Sequence, residues 1–379
     1  MDIRIGLVGA GWMGKAHVTA FTNASMIFGD SIGKPVFDMV SDIDENNAKK
    51  VYSDMNFARW TNDWKQLVKD ENIDLVDVTT PNAFHYEIVK EALMNGKHVY
   101  CEKPLTLTFE QSQELSDIAK DKNVVNYVGY NNIVNPATAY VKELVSQEAL
   151  GEIVHFKGTY DQDGLLDPSL PITWRHIKKL SGSGALGDLG AHLLSISQYI
   201  MGDMQSVNSL TETFIKERPK QGGSSETANV ENEDIVTLIA KYKNGALGTI
   251  SSSRIAAGRK NNLAYEIQGT KGTIYYSLES MNEVHVYFTS DDSRDRGFRK
   301  VFLSPEHEGY SAFQPAAGIA IGYNDTKVLE SKTVLSSISN KIDYTADFSF
   351  ATRIDAIVKA ILQSAEENSW VEVIAEGGQ

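Results

Sequence analysis

Asp188 and His192 are the two side chains whose types and spacing best suit acid–base chemistry. They stand four residues apart in the glycine-dense run 182–192, so they share one face if a helix begins there. A carboxylate beside an imidazole raises the pKa of the ring and fixes its orientation, as a general base requires. The same spacing is typical of an N-cap followed by a packed histidine, so both interpretations stay open at this point.

Lys103 lies in the run Glu102-Lys103-Pro104, directly after a predicted strand over 98–101. A lysine at the carboxyl end of a parallel strand can anchor a substrate hydroxyl or a nicotinamide ribose. Alone, such a lysine is more often a solvated surface charge. A metal site is not indicated, because the eight histidines show no HExxH spacing and Cys101 is the one cysteine.

A glycine-rich turn joins the first predicted strand, 3–8, to a predicted helix over 13–24, and it reads Gly9-Ala10-Gly11-Trp12-Met13-Gly14. The first glycine permits the turn, the second lets backbone approach a pyrophosphate, and the third lets the helix pack on the strand. The phosphates then lie at the helix N-terminus. The turn therefore predicts dinucleotide binding, although a tight turn without a ligand has the same pattern.

Asp42 follows the second predicted strand, 36–41, where a dinucleotide-binding domain needs a carboxylate for the adenine ribose. Its distance from the glycines exceeds the usual ~20 residues, which predicts an extended loop over 25–35. Asp42 would repel a 2′-phosphate and no arginine follows it directly, so NAD is predicted in preference to NADP. The alternative role for Asp42 is a helix cap.

Hydrophobic patterning divides the chain into two parts. In the first part, short β-branched strands alternate with helices, which indicates an α/β fold with a parallel sheet. In the second part most segments alternate with period two, and Asn244-Gly245 is a strong hairpin signal. This second part is predicted as an antiparallel sheet with helices 191–201 and 348–368 on one face, and 216–229 as a polar loop.

Composition excludes several classes of protein. The 379 residues are 42% hydrophobic and 23% charged, which is ordinary for a globular chain and rules out wholesale disorder. The net charge of −14 disfavours a nucleic-acid partner, because the overall field repels phosphate. No basic leader precedes an apolar segment and no long apolar run occurs, so we expect neither secretion nor a membrane span, and a cytoplasmic location.

Together these segments resemble the Gfo/Idh/MocA oxidoreductase family, which includes glucose–fructose oxidoreductase and inositol dehydrogenase. Four motifs carry the resemblance: residues 9–14, Thr80-Pro81-Asn82 with His85, Glu102-Lys103-Pro104, and Gly187-Asp188-Leu189-Gly190-Ala191-His192. Their order along essentially the whole chain is far more specific than any one of them. Trp174-Arg175 before the run 181–188 looks like the sugar-oxidising branch that includes levoglucosan dehydrogenase.

The resemblance implies a Rossmann domain over 1–132, an open-faced, mainly antiparallel sheet domain over 133–379, and an active site between them. It implies that Lys103 holds the reacting hydroxyl, Asp188 binds substrate and orients the base, and His192 takes the hydroxyl proton. Trp174 and Arg175 are expected to contact the substrate. The implied cofactor-binding set is Gly9, Gly11, Trp12, Met13, Gly14, Asp42, Ile43, Thr80, Pro81, Asn82, His85, Glu102, Lys103 and, near the nicotinamide, Asn131.

The chain departs from the family pattern at two places. Family members often have an arginine shortly after the position of Asn131, where this chain has Asn132-Ile133-Val134. They commonly have an aspartate three residues beyond the histidine, where this chain has Ser195. Both departures concern the expected substrate pocket. Of the properties that the resemblance implies, the identity of the substrate is therefore the least certain to carry over to this chain.

The sequence thus predicts an NAD-dependent dehydrogenase that oxidises a secondary alcohol of a sugar, anhydrosugar or polyol. One alternative is an NADP-dependent reductase of a keto-sugar or diol. Another is a non-catalytic nucleotide-binding sugar sensor, since fold does not fix function, although a sensor needs no proton acceptor. Because the segment 235–240 is apolar on both alternations, we also expect a homodimer or homotetramer formed through the second sheet.

Overall fold

The structure is a computed structural model that describes residues 1–222, 226–314, 316 and 318–374. Two compact units make up the chain. The first comprises residues 1–134 and 322–355, and the second comprises residues 135–321 and the chain from 356 onward. Each unit is built on its own β-sheet.

The first unit contains a six-stranded parallel sheet with the order β3-β2-β1-β4-β5-β6, which is the order of a dinucleotide-binding Rossmann fold. Its strands are β1 (Asp2–Val8), β2 (Lys34–Ser41), β3 (Arg59–Thr61), β4 (Leu75–Val78), β5 (His98–Cys101) and β6 (Asn126–Val128). Strands β4 and β5 are buried at nearly every position, as expected where helices cover both faces of a parallel sheet. The predicted parallel sheet is confirmed.

The helices connect the strands, and several of them begin at a residue whose side chain caps the helix. In chain order they are α1 (Trp12–Phe28), α2 (Glu45–Asp54), α3 (Trp64–Lys69), α4 (His85–Met94), α5 (Phe109–Lys122), α6 (Pro136–Ser146), α7 (Lys178–Ser181), α8 (Ala191–Met201), α9 (Tyr323–Asn340) and α10 (Phe348–Glu367). Asp44, Thr108 and Asn135 accept hydrogen bonds from the first backbone N–H groups of α2, α5 and α6. Helix α9 belongs to the first unit.

The second unit contains a nine-stranded sheet with the order β16-β15-β14-β13-β7-β12-β11-β8-β17. Its strands are β7 (Ile153–Asp161), β8 (Met204–Glu212), β11 (Ile235–Tyr242), β12 (Leu247–Ser253), β13 (Asn262–Gly269), β14 (Gly272–Ser277), β15 (Glu283–Phe288), β16 (Arg299–Phe302) and β17 (Val371–Glu372). Strands β7 and β12 pair in parallel, and the other neighbours pair antiparallel. The prediction of a mainly antiparallel sheet is therefore confirmed.

Strand β11 shows why one face of this sheet is covered. Its residues alternate between buried and exposed along the whole strand, as period-two patterning predicts. Helix α8 packs on the buried face, because a Cβ built at Gly158 would lie 2.9 Å from Leu193. On the same face the Ser209 hydroxyl donates a 2.6 Å hydrogen bond to the Ile361 carbonyl of α10.

Two segments differ from the sequence prediction. The extended loop over 25–35 is wrong, because α1 continues through Phe28, a 3₁₀ turn spans Gly29–Ser31, and β2 begins at Lys34. The predicted loop over 216–229 contains the short antiparallel pair β9 (Glu217–Pro219) and β10 (Thr227–Asn229), and its residues 223–225 lie outside the described residues. No helix in the described part of the chain is long and apolar enough to cross a membrane.

Candidate active site

The carboxyl ends of the strands in the first unit lie in one row. Val8 pairs with Ser41 and Val78, and the row continues through Cys101 to Val128. The residues that follow these strands are Gly9, Asp42, Thr79, Glu102 and Gly129. Ligands of open parallel sheets bind outside this edge, so the first unit presents one candidate nucleotide site.

The three glycines of the turn after β1 meet three different steric demands. Gly9 has φ +101°, and a Cβ there would lie 2.8 Å from the Thr79 carbonyl carbon. A Cβ at Gly14 would lie 2.3 Å from the Gly9 oxygen, so α1 packs closely on the turn. A Cβ at Gly11 would meet no heavy atom of the described residues within 4 Å, which leaves open space where a pyrophosphate approaches.

The Asp42 carboxylate is held in a fixed orientation beside this turn. It accepts hydrogen bonds from the Ala10 N–H at 2.8 Å, the Asp44 N–H at 2.9 Å and the Asn47 side-chain amide at 2.9 Å. The cap of α2 is Asp44, so Asp42 is not the N-cap residue. Next to it the Ile43 side chain is 96% exposed.

Trp12 and Met13, at the start of α1, differ in accessibility. The Trp12 side chain is 68% exposed, whereas Met13 is half-buried. An exposed tryptophan beside open backbone offers an apolar surface to a flat ring. With Asp42, these features form a site that fits a dinucleotide.

His85 joins the loops that follow β4 and β5. Its buried ring contacts the Thr80 carbonyl through Nε2 at 2.8 Å and the Pro104 carbonyl through Nδ1 at 2.9 Å. Burial lowers the pKa of this histidine despite the two carbonyls. Both ring nitrogens thus face backbone carbonyls, and the neutral ring can donate to one of them. His85 can therefore support a cofactor site by holding these loops, which also contain half-buried Pro81 and Asn82.

Lys103 and Asn131 follow β5 and β6 on the same edge. Lys103 is half-buried, and its backbone N–H donates to the Glu102 carboxylate at 3.2 Å. Asn131 is fully buried and donates from its side-chain amide to the Thr326 hydroxyl at 2.7 Å. Among the described residues, the buried Thr80 Oγ1 and Asn131 Oδ1 have no hydrogen-bond partner, so both can serve a bound cofactor.

Sequence reasoning missed the ionic cluster beneath this edge. His17 bridges Asp77 at 2.9 Å and Glu102 at 3.0 Å, and the Lys327 ammonium donates to Glu102 at 2.6 Å. One local signal was available. Asp77 is a charged residue inside the fully buried strand β4, and a buried carboxylate requires a partner.

In the second unit, Asp188 and His192 lie in one continuous helical segment. Asp188 is in a π-helical turn over Leu186–Gly190, and α8 begins at Ala191. The Glu233 carboxylate fixes this turn by accepting hydrogen bonds from the Gly184 N–H at 2.7 Å and the Leu186 N–H at 2.9 Å. Single π turns inside helices are frequent at functional sites.

Arg175 is oriented by its neighbours in the same unit. Its guanidinium lies 3.6 Å from the Asp188 carboxylate and 4.5 Å from the centre of the Trp174 ring. His192 is 7% exposed, and its ring centre lies 6.0 Å from that of Tyr160. This unit therefore offers one guanidinium, one carboxylate, one imidazole and one indole. Such a set suits a substrate that has polar hydroxyl groups and an apolar ring face.

The two departures from the family pattern are both buried. Ile133 is 4% exposed, and the buried Ser195 hydroxyl donates to the His192 carbonyl at 2.7 Å. Ser195 therefore supports the helix that carries His192 without adding a charge. An aspartate at this position would add a buried carboxylate that needs its own partner.

The predicted site residues divide between the units. The glycine turn, Asp42, the loops of Thr80 and Lys103, and Asn131 come together on one edge of the first unit, whereas Trp174, Arg175, Asp188 and His192 belong to the second. No group of three or more metal-ligating side chains occurs within the described ranges.

Comparison with known proteins identifies both parts of the chain. Residues 3–130 match the model "Oxidoreductase family, NAD-binding Rossmann fold". Residues 138–275 match the model "GFO/IDH/MocA C-terminal domain". The two matches follow each other in the order that the motifs predicted.

Individual relatives match nearly the whole chain. The chain is 36% identical to levoglucosan dehydrogenase of Pseudarthrobacter phenanthrenivorans, over 98% of each protein. It is 26% identical to scyllo-inositol 2-dehydrogenase (NAD(+)) of Bacillus subtilis, over 82% of this chain and 83% of that protein. A solved structure of levoglucosan dehydrogenase in complex with NADH and levoglucosan superposes with a TM-score of 0.95 at 36% identity, over 99% of this chain and 100% of that one.

Proposed function

This chain belongs to the Gfo/Idh/MocA oxidoreductase family, and we propose that it is an NAD-dependent dehydrogenase of a sugar, anhydrosugar or polyol. The observation that carries the proposal is the single sheet edge that aligns the glycine turn, the Asp42 carboxylate and the Lys103 loop. A relative 36% identical over 98% of its length is a levoglucosan dehydrogenase, which supports an anhydrosugar as the first substrate to test.

We assign the residues of the proposed reaction as follows. Lys103 holds the reacting hydroxyl, His192 takes the hydroxyl proton, and Asp188 binds substrate and orients the imidazole. Trp174 and Arg175 contact the sugar. When bound, NAD supplies the acceptor for the hydride that leaves the carbinol carbon. A positioned base contributes ~10²–10⁴-fold to such a step, because the hydride leaves only as the proton departs.

A substrate panel tests this function. The purified chain is mixed with NAD and with levoglucosan, other anhydrosugars, free sugars or inositols, and NADH formation is followed by absorbance. We expect one class of secondary alcohol to be oxidised well above the others. A protein that binds NAD and a sugar yet never reduces the cofactor would instead be a nucleotide-dependent sugar sensor.

The cofactor preference is predicted to be NAD over NADP. The Asp42 carboxylate can accept hydrogen bonds from a ribose 2′-hydroxyl and repels a phosphate at that position. Titration at fixed salt should therefore give a lower Kd for NADH than for NADPH. Asp42→Asn should bring the Kd values for NADH and NADPH closer together. Asp54→Asn, which removes an exposed ion pair with Lys50, should leave their ratio unchanged. Tighter NADPH binding by the wild-type protein would overturn this assignment.

A homodimer or homotetramer through the second sheet is our proposal for the assembly. The exposed face of this sheet presents the apolar side chains Leu210, Ile239 and Leu247, which are 66%, 47% and 54% exposed. A broad, partly apolar face favours burial against a second copy. Light scattering at micromolar concentration should give a molar mass that is a multiple of the chain mass. Ile239→Lys should lower this measured molar mass. Met26→Lys, on an exposed position of α1, is the matched control; a wild-type monomer contradicts the proposal.

We place the enzyme in the cytoplasm. The chain has one cysteine, Cys101, so it cannot form the intramolecular disulfides common in secreted domains. Cys101 is buried, and burial raises the pKa of its thiol well above the ordinary value. Fractionation of cells that produce the protein checks this assignment.

A further inference from the structure

Helix α9 contributes two adjacent polar side chains to the cofactor edge of the first unit. Thr326 and Lys327 lie in the first turns of this helix, about 200 residues after the strands of the sheet they contact. Both are buried, at 1% and 2% exposure. Thr326 contacts Asn131, and Lys327 contacts Glu102.

Thr326 determines which way the Asn131 amide points. The Thr326 hydroxyl has one hydrogen, and it donates this hydrogen to the Tyr323 carbonyl at 2.7 Å. Its contact with Asn131 at 2.7 Å must therefore be a hydrogen bond that the Asn131 NH₂ group donates. The Asn131 Oδ1 atom consequently points away from Thr326, and it is buried without a hydrogen-bond partner among the described residues.

Lys327 holds the Glu102 carboxylate in place. Burial opposes ionisation of Glu102, but Lys327 and His17 outweigh this effect and lower the pKa of the carboxyl well below its ordinary value. Glu102 in turn accepts the Lys103 N–H at 3.2 Å. A Cβ built at Gly129 would lie 2.8 Å from Glu102 Oε1, so the same carboxylate also packs against the chain that leads to Asn131.

Lys327 belongs to a larger buried cluster of ionisable side chains. Besides Glu102, the ammonium contacts the Glu330 carboxylate at 2.9 Å, and Tyr100 donates to Glu330 at 2.9 Å. His17, between Asp77 and Glu102, has a pKa of about 9, because these carboxylates outweigh the effect of its burial. Buried ion pairs add little net stability compared with apolar packing, so stability alone does not account for placing this cluster directly under Lys103.

We propose that Thr326 and Lys327 are positioning residues for the nicotinamide end of the site. Thr326 presents Asn131 Oδ1 as an acceptor for the nicotinamide half of the cofactor, and Lys327, through Glu102, sets the backbone of Lys103. The proposal rests on the proposed function. It assigns a positioning role to a helix whose contacts with the sheet are otherwise structural.

The first test compares NADH with ADP, which lacks the nicotinamide half. Thr326→Val removes the acceptor that orients Asn131, and we expect the Kd for NADH to rise about fivefold, the scale of one hydrogen bond. The Kd for ADP should stay within about twofold. Thr326→Ser keeps the hydroxyl and should restore NADH binding. Thr333→Val on the same helix, where the hydroxyl donates to the Leu329 carbonyl at 2.9 Å, is the matched control.

The second test measures turnover with the best substrate. Lys327→Met should lower kcat by about 10²-fold through displacement of Lys103, and Lys332→Met, whose ammonium lies over the Phe28 ring, should not. Because Lys327→Met removes the ammonium partner of the buried Glu102 carboxylate and leaves it only its contact with His17 among the cations described above, the double variant with Glu102→Gln should recover thermal stability but not kcat. Recovery of kcat with stability would show a purely structural role and overturn the proposal.

The outcomes separate this proposal from the proposed function. If the wild-type protein binds NADH and the ratio of the NADH and ADP affinities is unchanged in Thr326→Val, the positioning role is wrong while the function stands. If the wild-type protein binds ADP and NADH equally and oxidises no sugar, the proposed function itself fails, and the positioning role fails with it.

Discussion

Replacing His192 with alanine should lower turnover by ~10²–10⁴-fold, as expected when a positioned general base is lost. NADH binding should be nearly unchanged, because the glycine turn and the Asp42 carboxylate belong to the first unit and His192 to the second. For the wild-type protein, kcat/KM should rise with pH through one ionisation, since only the neutral imidazole accepts a proton. The variant should lose this feature.

His155→Ala is the matched control for this experiment. His155 lies on β7 in the same unit, and its ring bonds to the Thr249 hydroxyl at 3.0 Å. Its removal should leave turnover within about twofold of the wild type, because it has no role in the proposed proton transfer. A His192→Ala protein with near-normal kcat on the best substrate would falsify the assignment of the base.

Arg254→Met should lower the free energy of unfolding by about 3–5 kcal/mol, the cost of breaking a buried ion pair. The guanidinium lies 2.9 Å from the Asp234 carboxylate, and the two side chains are 3% and 0% exposed. Arg254 also donates to the Asn232 carbonyl at 3.1 Å. The substitution leaves the buried Asp234 carboxylate without this ion-pair partner. Urea unfolding followed by circular dichroism measures the loss.

An exposed ion pair of the same unit provides the comparison. Arg259 lies 3.0 Å from Glu279, with side chains 54% and 31% exposed, and such pairs contribute about 0–1 kcal/mol. Arg259→Met should therefore change the free energy of unfolding by less than about 1 kcal/mol. Equal losses of unfolding free energy for the two substitutions would show that burial of the Arg254–Asp234 pair does not determine its contribution to stability.

The parts of the fold that follow from local pattern could be predicted from the sequence. The turn between β1 and α1 has a characteristic glycine spacing. Strand β11 and the helix Ala191–Met201 have a clear hydrophobic periodicity. The sequence also predicted the cofactor-binding edge, because the carboxyl ends of parallel strands meet on one side of the sheet. A local pattern failed at residues 25–35, where the helix continues up to Gly29 although the segment contains two glycines and a proline.

Helix α9 shows what local pattern cannot supply. Among its buried residues, apolar side chains alternate with the polar Thr326, Lys327, Glu330, Ser331, Ser336 and Ser337. The apolar stripe by which a helix is recognised is therefore interrupted. Its polar groups are satisfied by partners far away in the sequence, such as Asn131 and Glu102. Only the tertiary structure brings these groups together. The sequence signals that the buried Asp77 needs a partner, but it does not show which side chains complete the ionic cluster under Lys103.

Transfer of a label between substrate and cofactor tests the central claim most directly. Levoglucosan deuterated at its secondary carbinol carbons is incubated with NAD and the wild-type protein, and the reduced cofactor is analysed by mass spectrometry. The proposed dehydrogenase predicts deuterium in the nicotinamide ring of the NADH formed, together with slower turnover than with the unlabelled sugar. If levoglucosan and the other sugars and inositols of the panel all transfer no label, although the protein binds NADH, it is not a sugar or polyol dehydrogenase.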